Sequence, residues 1–297
     1  MNKILLTGST GFIGSALVKN LSQNNKIYVI LRKKKEIKLS NKINKIFFVN
    51  YSDLDKKIKK IKIDIIIHCA THYVKNHKTN DLEKLSNSNI LLGNILLDNL
   101  TNMKVKKFIN FTTVWENFNG KKNNFYNLYS VYKKAFSHLI DYYKARLKNV
   151  KFYNLTISDT FGQLDKRKKI INILKINYQK NLVTKVTSKN LFLNLLNVED
   201  IINAVKIILK NKSKSGSYLL KNTKNYSISE IVNEINKNMS KKIKVEWLSK
   251  KNIKEKIYKQ PKLQNWYPKK SKLKNLLEII TKKIKLFFYK IYINKFK

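Results

Sequence analysis

The sequence predicts an α/β protein whose main domain is a doubly wound parallel sheet. Short apolar runs rich in β-branched residues alternate with stretches of helical spacing, and the strand-like runs lack polar alternation, as expected of a parallel sheet covered on both faces. A glycine-rich turn follows the first run. Beyond about residue 160 the alternation ends. This change predicts a second, smaller α/β lobe.

The predicted elements follow one another along the chain. Lys3–Thr7 is the first strand, and apolar residues recur at helical spacing from Ile13 to Leu21. Further strands are predicted at 27–31, 46–49, 63–68, 108–111 and 152–157. Later helices are predicted near 167–179, 199–210, 228–239 and 271–283, with short strands near 217–221 and 243–247.

Three regions follow from this pattern. Residues 1–165 are predicted to form the dinucleotide-binding domain, and a strand and helix near 190–210 are candidates to return to it. Residues 166–283 are assigned mostly to a substrate-binding lobe. In the basic extension 284–297 aromatic residues alternate with lysines, so a weak contact with an anionic membrane surface is one interpretation. A terminal helix packed on the lobe, or a dimer contact, is the favoured one.

The turn after the first strand has the composition of an anion site. Gly8, Gly11 and Gly14 are three of only seven glycines in the chain. Glycine permits positive φ and close approach of a ligand, while the free N–H groups and dipole of the following helix attract phosphate. These glycines are therefore predicted to bind the pyrophosphate of a dinucleotide, together with Thr10, Phe12 and Ile13.

The charge balance is strongly basic. There are 63 Lys and Arg against 18 Asp and Glu, which gives a formal net charge of +45. The lysines are spread along the whole chain and arginine is scarce, and arginine is the usual base-reading residue. We therefore expect no nucleic acid partner, and we interpret the lysine excess as compositional bias.

The cysteine content and the lack of a signal-peptide pattern limit the classes of protein that this sequence can represent. Cys69 is the only cysteine, which excludes an intrachain disulfide and a cysteine-ligated zinc or iron–sulfur site. No grouping of His, Asp and Glu has metal-ligand spacing, so no metal is expected. The chain shows neither a signal-peptide pattern nor an apolar run of spanning length. A soluble protein of the cytoplasm is the expectation.

The second predicted strand is followed by positive charge. Arg32 and three lysines occupy the place where an acidic residue would hold the adenosine ribose hydroxyls of NAD. A 2′-phosphate would be bound by Arg32 and a neighbouring lysine. The pattern therefore favours NADP over NAD as the cofactor, and a solvated basic loop is the structural alternative.

Tyr129 and Lys133 are the strongest catalytic candidates. Four residues apart on a helix, they share one face, so the ammonium can stabilise the phenolate and lower the pKa of the tyrosine. Sixteen tyrosines in so lysine-rich a chain produce roughly three such pairs by chance. The second pair, Tyr258 and Lys262, contains Pro261, which interrupts a helix. Only Tyr129 also has a strand-end threonine upstream.

At this point the chain resembles the extended short-chain dehydrogenases/reductases, the NAD-dependent epimerase/dehydratase family. The likeness runs from residue 1 to about 283. Three segments, INFTTVWENFNG, NLYSVYKKAF and DTFGQLDKRKKI, resemble in particular the bacterial nucleotide-sugar 4-ketoreductases of the CDP-abequose and CDP-paratose synthase type. The motifs that carry the family likeness are TGSTGFIG at 7–14, HCATH at 68–72, SNILLGNILLDNL at 88–100, FTT at 111–113, YSVYK at 129–133, DTFG at 159–162 and NWYPKKSKLKNLLEII at 265–280.

The resemblance implies roles for the catalytic candidates. Tyr129 would protonate the sugar carbonyl oxygen as hydride arrives at carbon 4, and Lys133 would assist it and bind the nicotinamide ribose. Thr113 would hydrogen-bond the same oxygen, with Thr112 as its competitor. A positioned donor stabilises the alkoxide character that hydride transfer creates. Tyr129 and Lys133 thus count as both catalytic and cofactor-binding residues.

The same resemblance implies further contacts. His68, Cys69, Ala70 and Asn89 match segments that line the cofactor. Core packing is the alternative for His68 and Cys69, and helix packing is the alternative for Asn89. The predicted substrate-binding residues are His72, Asp159, Thr160 and Arg167. Surface solvation is the alternative for Arg167 and an ordinary loop position for His72.

The sequence departs from the family pattern at two places. Gln163 stands where proline is usual, and Val114-Trp115-Glu116 replaces the commoner Val-Tyr-Gly. The substrate loops are therefore expected to differ from those of the family.

Three functions remain as hypotheses. The first is an NAD(P)H-dependent reductase of a nucleotide-activated 4-keto-6-deoxy or dideoxy sugar, serving surface polysaccharide and O-antigen synthesis, and forming a homodimer. The second is a nucleotide-sugar 4-epimerase with tightly bound NAD. The third, of another class, is a nonenzymatic basic module that binds membrane or nucleic acid.

Overall fold

The computed structural model describes residues 1–32, 43–210, 212–237 and 241–276. The strands are β1 (Lys3–Thr7), β2 (Lys26–Leu31), β3 (Asn44–Phe47), β4 (Ile65–His68), β5 (Lys107–Thr113), β6 (Lys151–Ile157), β7 (Asp159–Phe161), β8 (Thr184–Val186), β9 (Leu191–Leu193), β10 (Leu195–Asn197), β11 (Gly216–Leu220), β12 (Tyr226–Ser227), β13 (Val245–Trp247) and β14 (Ile253–Lys254).

The α-helices are α1 (Phe12–Leu21), α2 (Tyr51–Ile58), α3 (Leu82–Ser86), α4 (Leu92–Asp98), α5 (Leu128–Arg146), α6 (Ile170–Gln179), α7 (Val198–Leu209) and α8 (Ile228–Lys237). Helices α1, α6, α7 and α8 begin and end within about three residues of the predicted positions. A π-helical turn at Asn87–Leu91 connects α3 with α4. A short 3-10 helix occupies Thr79–Asp81, and a 3-10 segment that is kinked at Asn117–Asn119 occupies Val114–Gly120.

The described residues form two compact units. The first contains 1–157, 204–220 and 257–266. Seven of its strands pair in parallel in the order β11-β6-β5-β4-β1-β2-β3. All residues of β4 and β5 are buried, because helices cover both faces of such a sheet. The predicted doubly wound parallel sheet is confirmed.

One predicted strand lies in a different place from that expected. The strand near 217–221 was assigned to the smaller lobe, but it is β11, which pairs with β6 at the edge of the large sheet. A short apolar run shows that a strand forms and does not show which edge it joins. The first unit also ends at residue 157 and not at 165, and it regains residues 204–220 and 257–266. The ligands assigned to the two regions stay predictions.

The second unit contains residues 158–203, 221–256 and the described part of the segment from 267. Its sheets are small: β7 pairs with β10, β8 pairs with β13, and β9 lies between β12 and β14. Its core is formed by apolar side chains of α6, α8 and these strands, including Leu174, Leu195 and Ile231. Of the helix predicted at 271–283, residues 273–276 are helical and the rest lie outside the described residues.

Among the described residues, no helix is both long and apolar enough to cross a membrane. The extension 284–297 lies outside the described residues.

Candidate active site

The turn between β1 and α1 is closed by backbone contacts that only glycine allows. The Gly11 N–H donates to the Gly8 carbonyl at 2.9 Å, and Gly8 has a positive φ of 68°. A Cβ at Gly14 would lie 2.1 Å from the Gly8 carbonyl oxygen, and one at Gly8 would lie 2.7 Å from the Ala70 nitrogen. No side chain caps α1 and its first turn has no acidic residue, so its N–H groups suit an anion.

His68 ties the end of β4 to the end of β1. Its Nδ1 lies 2.9 Å from the Thr7 hydroxyl oxygen, which also accepts a bond from the Ala70 N–H at 3.0 Å. Its ring is buried against Phe136, with 5.1 Å between ring centroids, and its Nε2 has no partner among the described residues. Burial lowers the pKa of His68 to about 3, so the ring is neutral. The His68 side chain is thus buried and neutral, and its assigned contact with a cofactor stays a prediction.

Asn89 holds the loop that follows β4. Its Oδ1 accepts from the Thr71 hydroxyl at 2.7 Å and from the His72 N–H at 3.0 Å, while its Nδ2 donates to the His72 carbonyl at 3.0 Å. The buried amide thus fixes three polar groups of a loop beside the glycine turn. Cys69 lies in this loop, and burial raises the pKa of its thiol to about 12, so it is a neutral group.

The end of β5 places two threonines in different environments. The Thr112 hydroxyl donates to the Thr156 hydroxyl of β6 at 2.9 Å. The Thr113 hydroxyl oxygen accepts from the Trp115 N–H at 3.3 Å. Since a hydroxyl that accepts such a bond still has its own proton to donate, Thr113 has the better geometry for a ligand oxygen.

Helix α5 begins at a capping box. The Asn127 side chain accepts from the Ser130 N–H at 3.1 Å and the Ser130 hydroxyl accepts from the Asn127 N–H at 3.3 Å. This cap places Tyr129 in the first turn and Lys133 one turn later. The ring of Tyr73 meets the Tyr129 ring edge-on, with 5.2 Å between centroids.

Lys133 is a buried ammonium group. The residue is 4% exposed, and desolvation lowers the pKa of Lys133 to about 8, although the electrostatic effect of Glu116 acts in the opposite direction. Burial of a cation at low dielectric is costly unless nearby charge offsets it. The pair predicted from sequence is therefore a half-buried phenol followed by a deeply buried amine on one capped helix.

Glu116 also lies at the end of β5, next to Thr113. In the sequence it stood out only as part of a departure from the family pattern. It lies in the 3-10 helix after β5, is 4% exposed, and has an Oε1 atom with no hydrogen-bond partner in the described part of the chain. Burial raises the pKa of Glu116 to about 7, although Lys133, Lys134 and hydrogen bonds from Thr113 and Thr112 act to lower it. The signal that the sequence offered is an acidic residue close after the strand-end threonines, with Val114 and Trp115 between them.

Arg32 follows β2 and is exposed to solvent. Its Nη2 donates to the Ser88 hydroxyl at 2.6 Å, and the guanidinium also acts on the Tyr51 hydroxyl. The adjoining Lys33, Lys34 and Lys35 lie outside the described residues. Arg32 thus has the exposure that a phosphate ligand would require.

The predicted substrate residues of the second unit are held by internal ion pairs. Asp159 bonds the Lys169 ammonium at 2.8 Å. Arg167 donates from Nε and Nη2 to the buried Asp165 carboxylate at 2.8 and 2.7 Å, and from Nη2 to the Thr160 carbonyl at 2.8 Å. Through Nε and Nη2, the Arg167 guanidinium group holds the loop after β7 in place. The contact of Arg167 with a substrate pyrophosphate stays a prediction. His72 is half-buried, and its Nε2 has no partner among the described residues.

No group of three or more His, Cys, Asp or Glu side chains able to hold a metal ion occurs in the part of the chain that the structure describes.

The sequence profile of the NAD dependent epimerase/dehydratase family matches residues 4–222. The chain belongs to this family, as the motifs predicted, and it is an NAD(P)-dependent enzyme of the oxidoreductase and epimerase class.

Two curated relatives share the same name. A CDP-abequose synthase of Yersinia pseudotuberculosis is 28% identical over 219 residues, which cover 73% of this chain and 75% of that protein. A CDP-abequose synthase of Salmonella typhimurium is 26% identical over 72% of each chain.

Solved structures have the same fold. A UDP-glucose 4-epimerase of Thermus thermophilus in complex with NAD superimposes with a TM-score of 0.77 at 18% identity, covering 94% of this chain and 98% of that one. A UDP-glucuronic acid 4-epimerase of Bacillus cereus in complex with UDP-glucuronic acid and NAD has a TM-score of 0.75 at 18% identity, covering 94% and 99%. The fold of this chain therefore agrees with the fold of these two proteins over nearly its whole length.

Replacement of Gly14 by alanine is expected to lower the free energy of unfolding by about 3 kcal/mol, because the new Cβ would collide with the Gly8 backbone. Urea unfolding measures this loss. Gly216→Ala is the matched control, since its Cβ would meet nothing closer than 3.4 Å. Equal destabilisation by both substitutions would contradict the close approach of α1 to the turn.

Glu116→Gln is expected to stabilise the protein at alkaline pH. Because the pKa of Glu116 rises from 4.5 to about 7 on folding, the folded state retains a proton that the unfolded chain releases, and stability falls as pH rises across that window. The glutamine variant lacks this penalty, so its advantage in urea unfolding should grow from near zero at about pH 4 to as much as about 3 kcal/mol at about pH 8.

Glu246→Gln provides the control for this prediction. Glu246 is a surface carboxylate that pairs with Lys185 at 3.4 Å, and its loss should have little effect at either pH. A Glu116→Gln advantage that does not change with pH would show that the carboxyl group titrates normally in the folded state.

Proposed function

We propose that the chain is an NADPH-dependent reductase of a nucleotide-activated 4-keto-6-deoxy or dideoxy sugar. The observation that supports this proposal best is the placement of Tyr129 and Lys133 on the capped start of α5, with the Thr113 hydroxyl at the end of β5 in the same unit. The CDP-abequose synthases described above, which this chain matches over about three-quarters of their length, favour a deoxysugar attached to a nucleotide. A role in O-antigen or related surface polysaccharide synthesis follows from the same likeness.

The chain's own residues fit a nicotinamide dinucleotide. The uncapped start of α1 and the glycine turn suit its pyrophosphate, and exposed Arg32 suits a 2′-phosphate. When bound, the cofactor would supply a hydride. Tyr129 donates its phenolic proton to the oxygen of the substrate ketone, and the Thr113 hydroxyl donates a hydrogen bond to the same atom. The Lys133 ammonium stabilises the phenolate that remains.

The reductase proposal is tested by supplying purified protein with CDP-, dTDP-, GDP- and UDP-linked 4-keto sugars and either NADPH or NADH. One member of the panel is expected to oxidise NADPH in a one-to-one ratio with sugar reduced. An epimerase would instead retain nicotinamide through purification and catalyse no net oxidation of NADPH. Bound NAD without net oxidation would therefore overturn the reductase proposal in favour of an epimerase.

Tyr129→Phe is expected to lower turnover with the accepted sugar by at least about a hundredfold, the scale of a lost positioned acid. Tyr142→Phe is the control, because Tyr142 lies on the exposed side of the same helix and stacks on Arg146. Circular dichroism checks that both variants remain folded. Full turnover in the Tyr129→Phe variant would remove the tyrosine from the mechanism.

Arg32→Ala is expected to raise the KM for NADPH about tenfold to a hundredfold while changing the KM for NADH little, because a lost charge-assisted phosphate bond affects only the phosphorylated cofactor. Arg146→Ala on α5 removes the same charge at a surface position that contacts Tyr142. If Arg32→Ala weakens both cofactors equally, the 2′-phosphate assignment is wrong.

A further inference from the structure

Arg32 is held by a serine that lies far from it in the sequence. The arginine follows β2 and is exposed, and its Nη2 atom donates to the Ser88 hydroxyl at 2.6 Å. Ser88 itself is only 5% exposed. The hydrogen bond therefore joins a guanidinium group at the surface to a hydroxyl in the protein interior, and the two residues are 56 positions apart in the chain.

Ser88 lies in the π-helical turn, and the backbone of this turn is fixed on both sides of the serine. The Asn87 carbonyl accepts from the Leu92 N–H and from the Tyr51 hydroxyl, the latter at 3.0 Å. On the other side, the Asn89 side chain bonds three polar groups of the loop after β4. Turns of this kind are rare and occur frequently at functional sites. The Ser88 hydroxyl is thus a fixed acceptor for Arg32.

The end of β2 lies at the same edge of the sheet as the glycine turn. Strands β1 and β2 pair in parallel, with Leu6 opposite Val29, so both strands end at this edge. In a doubly wound dinucleotide-binding sheet, an arginine near the adenosine ribose accommodates the 2′-phosphate of NADP. Arg32 follows β2, so its position suits that role, and the bond from Ser88 acts on the group that would carry it out.

A long exposed side chain loses conformational freedom when it binds an anion. Ordering one such side chain at a binding site lowers affinity by about threefold to tenfold. Ser88 removes part of this loss in advance, because it already restricts the guanidinium group of Arg32. It accepts from one of the five N–H donors of the arginine, whereas a forked bond to a phosphate uses two.

Stability of the fold accounts poorly for this hydrogen bond. A bond between a hydroxyl and a solvated guanidinium group is readily exchanged for water, and alanine is the stronger helix former. A buried serine in a helix can bond a carbonyl of its own helix, as the Ser137 hydroxyl does with the Lys133 carbonyl at 3.2 Å. Ser88 instead accepts from Arg32 beyond β2, so its effect falls on the orientation of that side chain.

We infer that Ser88 is a positioning residue that orders the Arg32 guanidinium group for a 2′-phosphate and so increases the preference for NADP over NAD. The inference rests on the cofactor preference in the proposed function, and it adds a residue that acts through Arg32 and does not itself contact the cofactor. Ser88 should therefore affect the phosphorylated cofactor alone, and it should have no effect once Arg32 is absent.

Cofactor binding to the purified full chain tests this inference without a sugar. Isothermal titration calorimetry measures Kd for NADP and for NAD. Ser88→Ala is expected to raise the Kd for NADP about threefold to tenfold and to change the Kd for NAD by less than about twofold. Ser88→Thr keeps the hydroxyl and should restore most of the affinity. Ser137→Ala removes another buried helical hydroxyl and should leave the ratio of the two Kd values unchanged.

The double variant Arg32→Ala/Ser88→Ala separates an effect through Arg32 from a direct one. Because Ser88 acts through Arg32, the double variant should bind NADP as weakly as Arg32→Ala alone. A further loss of about threefold to tenfold in the double variant would overturn the inference. Equal weakening of both cofactors by Ser88→Ala, or an unchanged Kd for NADP, would overturn it as well.

Folding of the variants is checked by thermal unfolding. Ser88→Ala is expected to remain folded, because alanine favours the helix and removes one hydroxyl only. Ser88→Cys provides a second variant of similar size, and its thiol is a weak acceptor, so the same selective loss of NADP affinity is expected.

Failure of the proposed function would give a different result. If Ser88→Ala selectively weakens NADP binding but no keto sugar oxidises NADPH, the reductase proposal fails and the role of Ser88 stands. If Arg32→Ala selectively weakens NADP binding and Ser88→Ala does not, the 2′-phosphate assignment stands and the inference fails. With an accepted sugar, Ser88→Ala should raise the KM for NADPH and leave kcat unchanged, since Ser88 touches no reacting group.

Discussion

The parallel pairing of β4 with its neighbours β1 and β5 is the constraint on which the first unit depends. Neighbouring parallel strands end at the same edge of a sheet, so the glycine turn, the loop 69–72 and the segment from Val114 to Gly120 are brought together although about a hundred residues separate the first from the last. The Thr7 hydroxyl and the Asn89 side chain then fix the two earlier loops by hydrogen bonds. Chemistry at this edge therefore depends on burial of the strands.

Burial also determines the charge of each group at this edge. The same low-dielectric environment keeps His68 neutral, opposes ionisation of Cys69 and Glu116, and weakens the hold of Lys133 on its proton. Such an arrangement lowers stability and is typical of functional sites, where several titratable groups have displaced pKa values. Glu116 and Lys133 are each 4% exposed, so ionisation of either side chain is costly at low dielectric.

The order of elements and the membership in the epimerase/dehydratase family were predictable because both depend on local patterns. Apolar runs of strand length and the glycines at 8, 11 and 14 are readable along the chain. The capping box at Asn127 starts α5 two residues before Tyr129, so the shared helical face of Tyr129 and Lys133 also followed from spacing. By contrast, β11 was assigned to the smaller lobe, because its partner β6 lies some sixty residues away in the chain.

The sequence by itself determined the class of fold, the family, and the spacing of the tyrosine and lysine, since each of these depends on residues that are close together in the chain. Only the tertiary structure decided that Thr112 bonds β6 while Thr113 bonds the following turn, that Asp165 engages one edge of Arg167, and that Glu116 is buried at the end of β5. These outcomes depend on how strands and helices distant in sequence pack together. Burial and electrostatic interaction act through space, and no local pattern of residues specifies them.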